Sequence, residues 1–310
     1  MNSRQRVLKA VNFQKPDRIP IDLGATRASS INVVVYDQLK RKRGIQTPAK
    51  VRDCLAMLAD VEIPFLEKIH ADVIPLDVFD AAWSALPPEK GLPKRLFCGL
   101  EAYFPPTARI RENPDGSWSL LNAAGQDMAL MPKDGFYFDL VRPTMSGSRI
   151  DPRAFQPVNT VPDEELERLS ARAAYLYENT DKAILGWGEF ISVLGMSAVV
   201  GKNITQGSLD EWLCMLMTEK ETVHEMIGRA VDAVIQCLAL YHQAVGDRCF
   251  AWGIAADDAG TQKNSLIAPG LFAEMIKPHY RRLCDWVHTH THWKTFLHSC
   301  GSIYPLLPEW

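Results

Sequence analysis

Residues Cys249-Phe250-Ala251-Trp252-Gly253-Ile254-Ala255-Ala256-Asp257-Asp258 form an apolar run that ends abruptly in two carboxylates. The run reads as a buried strand over 249–255 leading into a polar loop. A helical pattern follows over 269–290, and Lys294-Thr295-Phe296-Leu297-His298 reads as another buried strand. A strand, a helix and a second strand in that order are the unit of a parallel sheet with right-handed crossovers.

Working outward, the same alternation recurs. Residues 163–179 predict a helix with acidic residues in its first turn, where they complement the helix dipole. A strand over 183–189 and helices over 209–217 and 219–245 follow. Upstream, 1–13 read as a basic amphipathic helix stopped before Pro16, and 18–23 and 71–77 read as strands carrying Asp22 and Asp77 near their ends. Residues 36–43 and 51–59 read as helices, the second with Val51, Leu55, Leu58 and Ala59 on one face. Between 100 and 144 the character changes. Asp115-Gly116 signals a tight turn before a strand at 117–121, and Gly125 separates that strand from another at 127–131. This region predicts an antiparallel β insertion ending in the aromatic stretch Phe136, Tyr137 and Phe138, with a loop over 143–157.

The expected fold class is therefore α/β, of the (β/α)₈ (TIM) barrel type. The parallel strands are fewer than a closed barrel needs, and 302–310 begin a further helical element where the sequence stops. We expect a single incomplete barrel domain over 1–310 with its last strands missing, and the insertion at 100–144 within it.

Composition narrows the function classes. Of 310 residues, 47% are hydrophobic and 23% charged, a globular balance with material for a sizeable core. The formal net charge is −3, and the basic run 40–43 sits at a helix end, so nucleic acid is not an expected partner. The seven cysteines are scattered without a C-x-x-C pair, as in a reducing compartment. No signal-peptide core or membrane-length apolar run is present, so the expectation is a cytoplasmic protein without membrane contact.

Active sites of parallel barrels gather at the C-terminal ends of the strands. Those ends supply Asp22, Asp77, Glu189, Asp257, Asp258, His298 and Cys300. In His298-Ser299-Cys300-Gly301, residues two apart on a strand share a face, so imidazole and thiol converge while Ser299 points away. Both are good zinc ligands at about 2.0–2.3 Å, and Gly301 lets the backbone turn at once. A catalytic zinc usually takes three protein ligands, so the pair is half a site. His288, His290 and His292 straddle a helix end, where the dipole favours them without a metal. The adjacent carboxylates Asp257 and Asp258 repel each other, which raises one pKa and suits a proton donor; capping and solvation of the loop 256–262 is the plainer alternative. Glu189 follows Gly186-Trp187-Gly188, where glycines allow close approach of a ligand, and is a further catalytic candidate. Asp22, Asp77 and Gln262 are candidates for substrate contact.

The opening 4–12 with Pro16-Asp17-Arg18-Ile19-Pro20, the segment 257–262, Ile276-Lys277-Pro278 and His298–Gly301 together resemble the uroporphyrinogen decarboxylase superfamily. More narrowly, they resemble its corrinoid-dependent methyltransferase branch, over essentially the whole chain. The resemblance implies a (β/α)₈ barrel. True decarboxylases of this family carry an R-Q-A-G-R-Y segment after the first strand. Here the stretch is Gly24-Ala25-Thr26-Arg27-Ala28-Ser29-Ser30, in which only Arg27 is cationic. The methyltransferase branch uses an H-x-C pair plus a later cysteine for zinc; His298 and Cys300 match the pair, and the later cysteine would lie beyond Trp310.

What the resemblance implies is methyl transfer between a small methylated compound (a methyl ether, methanol, a methylamine or a thiol) and the corrinoid of a partner protein, with zinc as cofactor. The acid-rich rim favours the demethylating direction. Competing expectations are a metal-free decarboxylase acting on a tetrapyrrole or smaller acid, and an inactive, truncated or purely binding protein. A homodimer is a further expectation, with 136–138 as an apolar surface for a second copy or the corrinoid protein. From the missing third ligand we expect weak zinc binding by this chain.

Overall fold

The structure, a computed structural model, describes residues 1–78, 81–141, 157, 159–193 and 209–310. The chain divides into two compact units, Met1–Thr144 with Tyr175–Ile184, and Met145–Ala174 with Leu185–Trp310.

In the first unit, helix α1 (Ser3–Val11) opens with a capping box in which Asn2 and Gln5 satisfy each other's backbone donors. Helix α2 (Val33–Lys42) is capped by the Asn32 side chain on Val34 N–H. Strand β1 (Ala49–Asp53) and the short β2 (Leu58–Ala59) follow, then α3 (Ile63–Lys68), β3 (Val73–Asp77) and the one-turn α4 (Ala81–Ser84). Strands β4 (Leu92–Arg95) and β5 (Glu101–Phe104) complete a sheet ordered β2-β1-β5-β4. A second, antiparallel sheet is a meander of β6 (Ile110–Glu112), β7 (Trp118–Leu121), β8 (Asp127–Met131) and β9 (Asp139–Leu140). The core joins α2 and both sheets through Tyr36, Val51, Met57, Phe65, Phe104, Leu120, Met131 and Phe138. Antiparallel strands are thus present in the region expected to hold them, with the strand at 127–131 as expected. Of its aromatic stretch, Phe136 and Tyr137 are exposed, whereas Phe138 is buried in the core.

Two sequence expectations fail in this unit. Residues 51–59 are not a helix. Asp53 accepts the N–H of Ala56 (2.9 Å), a local turn that competes with helix formation, and Val51 pairs with Ala59 across it. Residues 18–23 are not a strand. Pro20 has no donor, and the Ile21 N–H goes to the Asp72 carboxylate (2.8 Å) instead of to a ladder. The aspartate also holds Arg18 and Arg6 (both 2.7 Å), so a buried ion cluster fixes this segment.

The second unit holds the α/β core. Helix α5 (Asp163–Asn179) leads into strand β10 (Ala183–Ile191), and both elements begin or end in the first unit. Helices α6 (Leu209–Thr218) and α7 (Lys220–Val245) precede strand β11 (Cys249–Ala256). Helices α8 (Pro269–Met275) and α9 (Lys277–His290) then cross to strand β12 (Lys294–His298), which pairs in parallel with β11. The helix expected over 269–290 is broken at Ile276, because Pro278 at the start of α9 cannot donate to the preceding turn. Residues 302–310 form a 3₁₀ turn, Tyr304–Glu309. The loop expected over 143–157 falls almost entirely outside the described residues.

The two faces of this sheet are built differently. On one, Trp252 stacks on Tyr241 (centroids 5.2 Å) and on Trp293 (4.7 Å), all buried, clamping α7 to the strands. Gly186 makes room, since a Cβ there would meet the Trp252 ring at 2.0 Å. On the other, the ring of Trp187 lies across Gly253, where a Cβ would meet it at 1.9 Å. Among the described helices, none is long and apolar enough to cross a membrane.

Candidate metal centre

The site is made where β11 and β12 run on past their strand ends. Asp257 N–H donates to His298 C=O (2.9 Å), Gly260 N–H to Cys300 C=O (3.1 Å) and Ser302 N–H to Thr261 C=O (2.7 Å). The parallel pairing therefore continues as a zip between two loops. That zip requires glycine on both sides. A Cβ on Gly260 would lie 2.4 Å from Ser302 N, and one on Gly301 would lie 2.2 Å from Gly260 O. Gly301 also has φ +82°, a conformation side chains disfavour.

The consequence is convergence. His298 Nε2 lies 3.3 Å from Cys300 Sγ and 3.4 Å from Asp258 Oδ1, and Cys300 N–H donates to the same Asp258 oxygen (3.1 Å). One ligand atom from each of Asp258, His298 and Cys300 lies within 4.8 Å of the others. Donors around one tetrahedral ion of zinc size sit roughly 3.3–3.6 Å apart, so this N, O and S set fits such an ion. His298 is half-buried and the other two residues are exposed, so an ion held there stays open to a small molecule. Desolvation, and then the neighbouring Asp258 carboxylate, push the Cys300 thiol above its ordinary pKa. A cation would displace that proton.

Asp257 is the opposite of its neighbour. It is fully buried and accepts from Ser192 Oγ (3.1 Å), Val193 N–H (2.9 Å) and the Tyr280 hydroxyl. These bonds tie the ends of β10 and β11 to α9. Ser299, which faces away from the ligands, accepts the Ala259 N–H (3.2 Å) and braces the loop. The adjacent carboxylates thus split into a buried brace, Asp257, and an exposed candidate ligand, Asp258.

The other sequence candidates are not among the three residues of this cluster. Glu189 has Glu165, Cys237 and Tyr241 as electrostatic neighbours, on α5 and α7; desolvation, then Glu165, raise its pKa. Gln262 is exposed in the turn where Thr261 N–H bonds to Asn264 C=O. In the first unit, Asp77 is buried and paired with Arg52 (2.8 Å), whose other nitrogen donates to Gly24 C=O (2.7 Å). Asp22 accepts the Ala25 N–H (3.0 Å), and desolvation raises its pKa. Arg27 pairs with Asp53 (3.2 Å). His288 and His290 close α9; His290 Nδ1 lies 2.8 Å from the Trp286 carbonyl, and its ring stacks on Trp286.

Asp258 is the member of this possible metal-holding cluster that the sequence reading misses, since that reading gives it proton transfer. The readable signal was the pair of glycines, one in each loop, which predicts close approach of the two backbones.

The family model described as Uroporphyrinogen decarboxylase (URO-D) matches residues 130–310, more than half of the chain and the whole of this cluster. No curated protein gives a match to the sequence.

Proposed function

Because the chain belongs to the uroporphyrinogen decarboxylase (URO-D) family, we propose that it is an enzyme of the metal-using kind in that family, a zinc-dependent methyltransferase. The observation that carries this reading is the convergence of His298, Cys300 and Asp258. A decarboxylase working without a metal has no need of a thiol, an imidazole and a carboxylate at one point. The accompanying fold reading is that the parallel strands belong to a (β/α)₈ barrel, whose strand ends are where such a site sits.

In this reading His298, Cys300 and Asp258 hold zinc. Bound there, zinc supplies Lewis acidity toward the heteroatom of a small methyl donor. The methyl acceptor is the corrinoid of a separate protein, and the direction is demethylation of the small molecule. The chain's own contribution is rigidity. Asp257, held by Ser192, Val193 and Tyr280, fixes the loop that presents Asp258. The glycine zip fixes the loop that presents Cys300.

A second reading is decarboxylation of an acidic substrate without metal. The family's own description names that activity, and on this match alone the decarboxylase has the stronger support. Against it, Arg27 is already engaged by Asp53, which leaves a substrate with several carboxylates short of partners in that stretch.

The readings separate in one pair of assays. Purified protein mixed with a reduced corrinoid protein and a set of methyl donors should develop methyl-cobalt absorbance. Release of carbon dioxide from uroporphyrinogen or a smaller acid, with no methyl-cobalt from any donor, would decide for the decarboxylase.

A further inference from the structure

The sheet face that carries the cluster also carries aromatic rings. Gly253 pairs with Phe296, and Ala256 with His298, across β11 and β12. Phe296 and His298 are two residues apart and share a face, about 7 Å from each other along the strand. The Trp187 ring lies across Gly253 and meets Phe296 edge to face (centroids 5.8 Å, 70°). Phe190 packs against the same indole (5.3 Å, 53°). All three rings are half-buried, unlike the fully buried Tyr241–Trp252–Trp293 stack on the other face. One aromatic group in this sheet is therefore packing, and the other is an open wall beside the candidate ligands.

We propose that Trp187, seated on Gly253 and flanked by Phe190 and Phe296, determines specificity by selecting a planar aromatic ring in the substrate. This rests on the methyltransferase reading above. A ring with an offset or edge-to-face partner gains over a saturated ring of the same size, because the indole quadrupole rewards an aromatic neighbour. Methanol gains nothing from such a wall, and a methylammonium would gain a cation–π contact but no ring stacking. The substrate class is then an aryl methyl ether, its ring against Trp187 and its ether oxygen toward His298, Cys300 and Asp258.

The test is titration calorimetry of the protein, purified in the presence of zinc, with methoxybenzene and with methoxycyclohexane, with zinc content and melting temperature recorded for each sample. Wild type should bind methoxybenzene about five- to tenfold more tightly. Trp187→Phe should keep most of that preference and Trp187→Leu should abolish it, with zinc content unchanged in both. Gly253→Ala, which drives a Cβ into the indole, should weaken methoxybenzene binding selectively. Should Trp187→Leu not fold, Phe296→Leu serves in its place and should reduce the preference. Equal affinity for the two probes in wild type, or an unchanged preference in the leucine variant, overturns the proposal. Absence of zinc from folded wild type would instead overturn the reading beneath it, while the ring preference stays measurable in the same titration.

Discussion

Asp72 and Asp77 in the first unit and Asp258 in the second meet different fates. In the first unit, Asp77 faces Arg52 with both side chains almost fully buried, and Asp72 collects Arg6, Arg18 and a backbone N–H. These two negative charges are neutralised by guanidinium and locked into the scaffold. In the second unit, Asp258 is exposed, and its ion pair among the described residues is with His298, beside a thiol. Arginine-paired carboxylates have their lone pairs spent on structure. A carboxylate beside imidazole and thiol keeps lone pairs for an ion. The neighbour's identity, more than position at a strand end, separates brace from ligand.

That contrast yields graded predictions. The largest effect should come from Arg52→Ala, which removes the guanidinium that faces the buried Asp77 carboxylate and should cost about 3–5 kcal/mol. Chemical denaturation measures it, and zinc content should not change. An Arg52→Ala protein that lost its zinc would break the division drawn here.

Next are the glycines. Gly301→Ala combines φ +82° with a backbone clash at 2.2 Å, and should cost about 2 kcal/mol while loosening the metal. Gly44→Ala, at φ +77° but with open space around the added carbon, should cost roughly 1 kcal/mol and leave zinc affinity alone. Equal zinc affinity in the two variants would remove the reason for the zip.

Asp258→Asn preserves a hydrogen-bond acceptor for Cys300 N–H but loses the charge. Zinc affinity should fall on the order of tenfold, read by competition with a chromophoric chelator. No change would return the third ligand position to another group.

The smallest effect is on pH dependence. His224 Nδ1 and His279 Nε2 lie 2.9 Å apart with ring centroids at 5.2 Å, so the two nitrogens face each other head-on. Burial, then His224 and Arg282, lower the His279 pKa from 6.5 to about 4, against a small opposing pull from Asp232. A depressed folded-state pKa contributes stability that is present above 6.5 and lost as pH falls toward 4. At pH 5.5 the loss should be about 1 kcal/mol, and His279→Gln should flatten the profile between pH 7 and 5. An unaltered slope in that variant would place the titration elsewhere.

Much of the second unit was legible in the sequence because its elements are long and regularly patterned. Helix 163–179 and strand 294–298 match the structure, and the strand at 249 gains one residue. The first unit was harder to read, for reasons that are local. An aspartate side chain at 53 turned an apolar stretch with helical spacing into two strands. At 18–23 a buried carboxylate from a residue far along the chain took the backbone donor that a strand would have used. The candidate site divides the same way. The convergence of His298 and Cys300 follows from strand periodicity, which the sequence displays. The arrival of Asp258 depends on two loops zipping together across some forty positions, which no periodicity encodes.

The central claim is that this chain itself supplies a metal centre, and metal analysis tests it most directly. Folded protein should be dialysed against a weak chelator and its zinc counted by plasma mass spectrometry, alongside His298→Ala and Cys300→Ala. The account predicts about one zinc per chain in wild type and close to none in either variant, with melting of the metal-free proteins unchanged. Folded wild type without zinc, or zinc retained equally by both variants, would contradict it.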